Sequence, residues 1–284
     1  MLDLAFTCAL AAGRRHSVGL RVDGTVVAAG DNEAGECGVQ EWSDVVSLAA
    51  GNVHTASNTG RSHSVGLRAD GTLVATGWNG DGQCDVASWS RVTAIAAGWR
   101  RTLGVRADGT VLAAGRAGDG ACDVDTWRRI LSVSCGDWHS VGLRADGTAV
   151  ATGVNRRGQC AVHDWTGLRA VAAGYLHTLG VTTTGRVLAT GDGSAGACAV
   201  DSWRDVVSVA AGSYHSVAVT SQGRVRAAGD NTFGQCDVDG WRDVVSVAAG
   251  STHTLGLCAD GTVRATGNDG DGQCRVQDWI GLRG

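Results

Sequence analysis

The chain has 284 residues, 43% of them hydrophobic, and a formal net charge of −4, which argues against a nucleic-acid or membrane-surface partner. No run of about 18 apolar residues offers a membrane-spanning helix, and the opening "MLDLAFTCALAAG" lacks the positive leading region of a secretory signal. Ten cysteines without an evident pairing scheme fit a reducing, cytoplasmic setting.

In chain order, one unit recurs seven times. Its leading glycine stands at Gly13, Gly51, Gly98, Gly136, Gly174, Gly212 and Gly250, with gaps of 38 residues except for 47 between Gly51 and Gly98. The first unit opens on Leu4 to Ala12, "LAFTCALAA", as its inner strand. The second carries a nine-residue insertion near 51–60, where His54 and His63 fit the repeat equally well. The third, "GWRRTLGVRADG", has Arg101 where others have His16, His139, His177, His215 or His253. In the sixth, Val-rich alternation bounded by Gly, Asn, Asp and Ser predicts four strands: Asp205 to Ala211, His215 to Thr220, Arg224 to Ala228, and Gln235 to Val238. The recurrent "ADGT" predicts a tight hairpin, because Asp-Gly supplies the positive φ such turns need. After the seventh unit comes "QDWIGLRG", where an eighth would begin, so the chain ends are expected to meet and Trp279 to pack on the first blade.

No segment shows helical spacing. Residues 1–284 are therefore expected to form a single all-β domain, a seven-bladed β-propeller of about 38 residues per repeat. A β-solenoid competes, but it would normally show atypical capping units, and the first and last repeats look like the middle ones.

Residues that stay constant between repeats are expected to be scaffold. Trp42, Trp89, Trp127, Trp165, Trp203, Trp241 and Trp279 recur where each connector enters the next blade, and a ring placed there buries roughly 150–250 Å². Cys37, Cys84, Cys122, Cys160, Cys198, Cys236 and Cys274 recur at one site per blade, which holds them too far apart to pair. The repeated histidines lack a distinct member with a nucleophile or carboxylate partner, so no catalytic residue is expected. "WNGDGQ" and "GNDGDGQC" lack the glutamate that would close a calcium loop, and no Gly-rich segment opens a helix to cradle phosphate. Neither metal nor cofactor is expected.

The variable positions carry the functional signal. The loop joining the first and second strands should emerge on the same face as the loop joining the third and fourth. Apart from the scaffold tryptophans and Phe6, every aromatic residue lies in those two places: Trp78, Trp99, Trp138, Tyr175, Tyr214 and Phe233. Beside them stand Arg100, Arg101, Arg116, Arg156 and Arg157, opposed by Asp119 and Asp137, while Asp31, Glu33, Glu36, Asp269 and Asp271 collect on the first and seventh blades. Core packing would repeat the aromatics in every blade. Trp, Tyr and Arg are instead the types that dominate binding hot spots. The expected function is non-enzymatic binding of a protein that presents an apolar patch flanked by acidic groups, through Trp78, Trp99, Arg100, Arg101, Trp138, Arg156, Arg157, Tyr175, Tyr214 and Phe233.

The repeat pattern "AAGxxHSVGLRADGTVxATGxNxxGQC" resembles that of the regulator-of-chromosome-condensation family, in its short bacterial form, over essentially the whole chain. The resemblance implies a seven-bladed propeller. It does not choose a function, since members include exchange factors for a small GTPase, chromatin binders, a plant ultraviolet-B photoreceptor and a bacterial β-lactamase inhibitor. The aromatic loops resemble those of the inhibitor-type propeller, which grips a protein. The insertion in "GNVHTASNTGRSH" is similar to the partner-contacting wedge of the exchange factors, which implies a GTPase regulator as the alternative. "GWRRT" is close to the photoreceptor's tryptophan motif, with Arg in place of His, and implies a light sensor as a further one.

Overall fold

Short Val- and Ala-rich runs separated by tight turns pair most readily with their immediate neighbours, and this chain does so seven times. Its structure, a computed structural model, describes residues 8–52, 54 and 61–283. The described residues contain no helix and form seven sheets of three antiparallel strands, each sheet in sequence order. In the sixth blade the strands are Val206–Ala211, His215–Thr220 and Val225–Gly229. Ala211 faces Ser216 in the inner pair, and His215 faces Gly229 in the outer pair. The second and third strands turn on Asp-Gly as expected. In the second blade Asp70 Oδ1 accepts from Thr72 N at 2.9 Å and from Thr72 Oγ1 at 2.6 Å, and Gly71 takes φ 82°.

The expected fourth strand is absent: Gln235 to Val238 belongs to a run of turns. Asn231 Oδ1 accepts from Cys236 N at 2.7 Å, Asp237 N donates to Gly234 O at 3.0 Å, and Gly234 has φ 80°. Local bonds of this kind use the backbone groups a ladder would need, so side chains of the "NxxGQC" segment compete successfully with pairing. The segment instead braces the next blade, as where Thr266 Oγ1 donates to Gly234 O at 2.8 Å. Its cysteine serves the same local purpose, Cys236 Sγ donating to Asp230 O at 3.3 Å. Burial pushes the Cys37 and Cys274 thiols up to about 12.

Around the ring each scaffold tryptophan lies on the middle strand of the following blade. A Cβ on Gly142 would stand 2.8 Å from the Trp127 ring, and the same holds for Gly19 against Trp279. Only in the sixth blade does an alanine, Ala218, occupy that place, buried beside Trp203. The leading glycines abut one another at the channel: a Cβ on Gly51 would lie 3.1 Å from Gly98 O, and one on Gly250 only 2.5 Å from Gly13 O.

The ends meet. Trp279 and Leu282 share a core with Leu10 and Ala12, Arg283 N donates to Leu20 O at 2.9 Å, and Val22 N donates to Gly281 O at 3.0 Å. The first inner strand is shorter than expected, Leu10–Ala12, with residues 4–7 of the expected strand lying outside the described residues. Residues 53 and 55–60 of the insertion lie outside them as well.

Candidate partner-binding face

The face is built on a buried polar girdle. His16, His63, His139, His177, His215 and His253 each open a middle strand, and each Nε2 lies 2.7–3.0 Å from a Ser or Thr hydroxyl on the next blade. Those hydroxyls spend their single proton on connector carbonyls, for example Thr178 Oγ1 on Gln159 O at 2.7 Å and Ser17 Oγ on Gln273 O at 2.8 Å. The imidazoles must therefore donate through Nε2, which leaves Nδ1 unprotonated. Burial drives His16, His177 and His215 down to about 4, and His63, His139 and His253 down to about 3. Of the two candidates in the second blade, His63 takes the girdle position, bonding Thr102 Oγ1 at 2.9 Å.

Arg101 completes the girdle, which corrects its expected place on the exposed face. Gly98 pairs with Arg101, so Trp99 and Arg100 alone form the turn and Arg101 begins the middle strand. It is 0% exposed. Its Nε donates to Ser140 Oγ at 3.1 Å, and its Nη atoms donate to the carbonyls of Asp137 at 2.8 Å and His139 at 2.6 Å.

Above the girdle, the two loop types do share a face. Each third strand's following residue bonds back to the first loop of the same blade, as in Arg116 N to Arg100 O, Val154 N to Trp138 O and Asp192 N to Leu176 O, at 2.8–2.9 Å. The loops bring most of the variable aromatics into one arc. Arg100 stacks between Trp78 and Trp99, 4.7 Å from each ring, and Arg116 lies 5.0 Å from Trp99 and 5.9 Å from Trp138. Trp99 and Trp138 meet edge to face at 4.5 Å, and Tyr175 and Tyr214 meet similarly at 5.2 Å. Trp99 is buried within this stack at 8% exposure, so it supports Trp138 more than it offers area of its own. Phe233, 50% exposed, takes no part in these ring contacts. Burial, with Tyr175 next to it, pushes the Tyr214 hydroxyl up to about 12.

Charges on the face are more paired than the sequence suggested. Asp81 lies 3.5 Å from Arg100, Asp119 3.8 Å from Arg116, and Asp192 3.7 Å from Arg157. Arg156 has no ion pair among the described residues, and its side chain is exposed. On the acidic side Glu36 is buried, and Asp271 and Asp269 pair with Arg15 and Arg275 at 3.6 and 3.7 Å. The basic pole thus rests on Arg156 and the solvent-facing part of Arg157.

Sequence reasoning missed how the insertion begins. Its described residues turn inward across the channel mouth. Asn52 Nδ2 donates to Ala249 O at 3.4 Å and Asn52 Oδ1 accepts from Ser251 Oγ at 2.9 Å, both on the seventh blade. His54 reaches the fourth blade, where its backbone N and Nδ1 each lie 2.7 Å from Asp137 Oδ2, and its ring stacks on Tyr175 at 4.4 Å. The signal was present in the duplicated histidine: only one could enter the girdle, which freed the other. Among the described residues, no group of three or more His, Cys, Asp or Glu is placed to hold a metal ion.

A family model described as the regulator of chromosome condensation (RCC1) repeat matches residues 8–36, 58–83, 130–159, 168–197, 206–235 and 244–273. The second of these segments includes His63 and not His54. No curated protein matches the chain. Among solved structures, human WBSCR16 is 19% identical with TM-score 0.70, covering 88% of this chain and 85% of that one. Yeast RCC1 (Prp20), in its complex with Kap60, is 15% identical with TM-score 0.68, covering 99% of this chain and 87% of that one. Prp20p from Saccharomyces cerevisiae, described with its binding properties to Gsp1p and histones, is 16% identical with TM-score 0.65, covering 84% and 76%.

Proposed function

Because the chain belongs to the regulator of chromosome condensation repeat family, we propose that it is a non-enzymatic protein-binding module that grips its partner with the aromatic and arginine loops of one propeller face. The observation that carries this reading is the arc itself. Trp78, Trp99, Trp138, Tyr175 and Tyr214 differ from blade to blade in sequence yet are gathered into one arc at the channel mouth, Arg100 joining Trp78 to Trp99 and His54 lying between the tryptophan pair and the tyrosine pair. Scaffold packing does not require them, since the girdle and the connector tryptophans already join every pair of blades. Pinned aromatic rings lose little freedom on binding, which suits them as anchors. The partner is a protein with an apolar patch flanked by acidic groups. That relatives of this fold are described in complex with or binding to proteins supports the class. The cytoplasm is the proposed setting, on the ground of the ten free thiols.

The test is capture from the native lysate with wild type and with a Trp99→Ala/Trp138→Ala variant, followed by kinetics on whatever the wild type alone retains. Loss of Trp138 should speed dissociation by about tenfold or more, because desolvated anchors act mainly on the off-rate. Arg156→Ala/Arg157→Ala should slow association and flatten its salt dependence. A partner held equally by the double tryptophan variant refutes the reading. The GTPase-regulator alternative gains nothing from the described part of the insertion, whose Asn52 and His54 bind inward.

One observation favours a second reading. Three tryptophans interleaved with two arginines, with two rings 4.5 Å apart, form the kind of cluster a tryptophan-based light sensor needs. Such coupling should give an exciton couplet in near-ultraviolet circular dichroism that collapses on irradiation in the tryptophan band. A couplet that survives irradiation excludes this reading.

A further inference from the structure

Between the fourth and fifth blades the face holds a cavity of about 310 Å³, walled by Trp138 and Tyr175, floored by Val154 and Leu176, and rimmed by Arg156 and Arg157. Both walls are held from behind. Trp138 rests against Trp99 at 4.5 Å, and Tyr175 lies between the His54 ring at 4.4 Å and Tyr214 at 5.2 Å. His54 is itself fixed by the buried Asp137 carboxylate at 2.7 Å. The floor is tied down as well, Val154 N donating to Trp138 O at 2.9 Å and Asp192 N to Leu176 O at 2.8 Å. The cavity is therefore preformed, and filling it requires no rearrangement of its walls.

Its size and chemistry restrict the occupant. About 310 Å³ lies at the small end of ligand cavities, enough for one large side chain and too little for a helix or a strand pair. The interior offers ring faces and aliphatic groups, so the entering group is apolar. The rim is cationic: Arg156 has no ion pair among the described residues, and Arg157 shares Asp192 at 3.7 Å while its side chain stays 63% exposed. A guanidinium beside an apolar opening is completed by a carboxylate, which it can take in a bidentate pair. We infer that this cavity is the anchor site of the face, and that it receives a single large apolar side chain from an exposed loop of a partner protein, flanked on both sides by Asp or Glu that pair with Arg156 and Arg157. The inference rests on the binding role proposed above. It adds where the anchor sits and what enters it.

The test uses a disulfide-cyclised peptide with Asp-Phe-Glu at its apex, titrated into the intact protein and followed by tryptophan fluorescence and heteronuclear NMR. The expected result is saturable binding in the low-millimolar range or tighter, with shifts centred on Trp138, Val154 and Leu176. Replacing the apex Phe by Ala should abolish it. Replacing both acids by amides, or substituting Arg156→Ala, should weaken it by about tenfold, as should raising the salt. Leu176→Trp, which fills the cavity from its floor and leaves the arc in place, should remove binding while the melting temperature stays near wild type. No saturable binding, equal affinity for the Phe and Ala peptides, or unchanged binding to the Leu176→Trp protein overturns the assignment. The two readings separate on the captured partner. A partner lost by Trp99→Ala/Trp138→Ala but held equally by Leu176→Trp refutes the anchor site and leaves the face standing. One held equally by both variants refutes both readings.

Discussion

Deleting residues 277–284 should lower the melting temperature by about 10 °C or more. The segment closes the ring: Trp279 covers Gly19 of the first blade, Leu282 enters the core formed with Leu10 and Ala12, and Arg283 and Gly281 bond to Leu20 and Val22. Truncating one buried tryptophan costs roughly 3–5 kcal/mol, and in a chain of this size each kcal/mol is worth about 2–4 °C. The substitution Trp279→Ala alone should reproduce most of the loss, whereas Ile280→Ala, at a side chain 68% exposed, should change little. Differential scanning calorimetry of the three proteins checks this. A deletion variant that melts with wild type would mean that the junction between the first and seventh blades does not hold the ring together.

Acid should open the ring well above the pH at which ordinary carboxylates titrate. Six girdle imidazoles are held at about 3 to 4 in the folded chain, against about 6.5 when unfolded. Between those values the unfolded chain binds more protons, so stability is full above about pH 6.5 and falls as the pH drops towards 4. Each group contributes up to about 1.4 kcal/mol per pH unit, and six together would exceed the usual stability of a domain within about two units. The physical cause is visible in the girdle. A second proton would have to go on Nδ1, which in His16, His139, His215 and His253 has no protein partner. Urea unfolding at pH 7.5, 6.5, 5.5 and 5.0 should show a free energy that collapses over the lower steps, with an uptake of about six protons. His139→Gln should reduce the uptake by about one. A free energy constant between pH 7.5 and 5.0 would contradict the assignment of neutral, desolvated imidazoles.

The scaffold was legible because seven copies average out local ambiguity. A glycine that recurs before His and another at the centre of "SVGL" are fixed by backbone and tryptophan contacts that the ring repeats, and the Asp-Gly turns announce their own geometry. The fourth strand was misread because "GQCDV" has apolar alternation. What decides its conformation is the glycine two residues before the cysteine, which takes a positive φ in every blade and closes the turn by backbone bonds that periodicity does not register, even where Ala117 or Gly193 replaces the Asn whose side chain reinforces it elsewhere. The face was half legible. The uneven placement of aromatics identified the loops, but two features depend on three-dimensional neighbours. Arg101 looked like part of the exposed "WRR" run, yet the two-residue turn ahead of it sends its side chain to the next blade. The pairing of Arg100 with Asp81 and of Arg157 with Asp192 joins neighbouring blades, and no spacing rule signals it, whereas Arg116 and Asp119 stand three residues apart in one segment. The inward path of Asn52 and His54 was likewise hidden, because their hydrogen-bond partners lie about 80 to 200 residues away.

The most direct measurement on the central claim is hydrogen exchange of the protein alone and in complex with the partner it captures. Exchange should slow in the first loops of the third to sixth blades, around Trp99, Trp138, Tyr175 and Tyr214, and in the segment of Val154 to Arg157, with the strand cores unchanged. Protection centred instead on the Asp-Gly hairpins at Asp70, Asp108 and Asp146, on the opposite face, would contradict it.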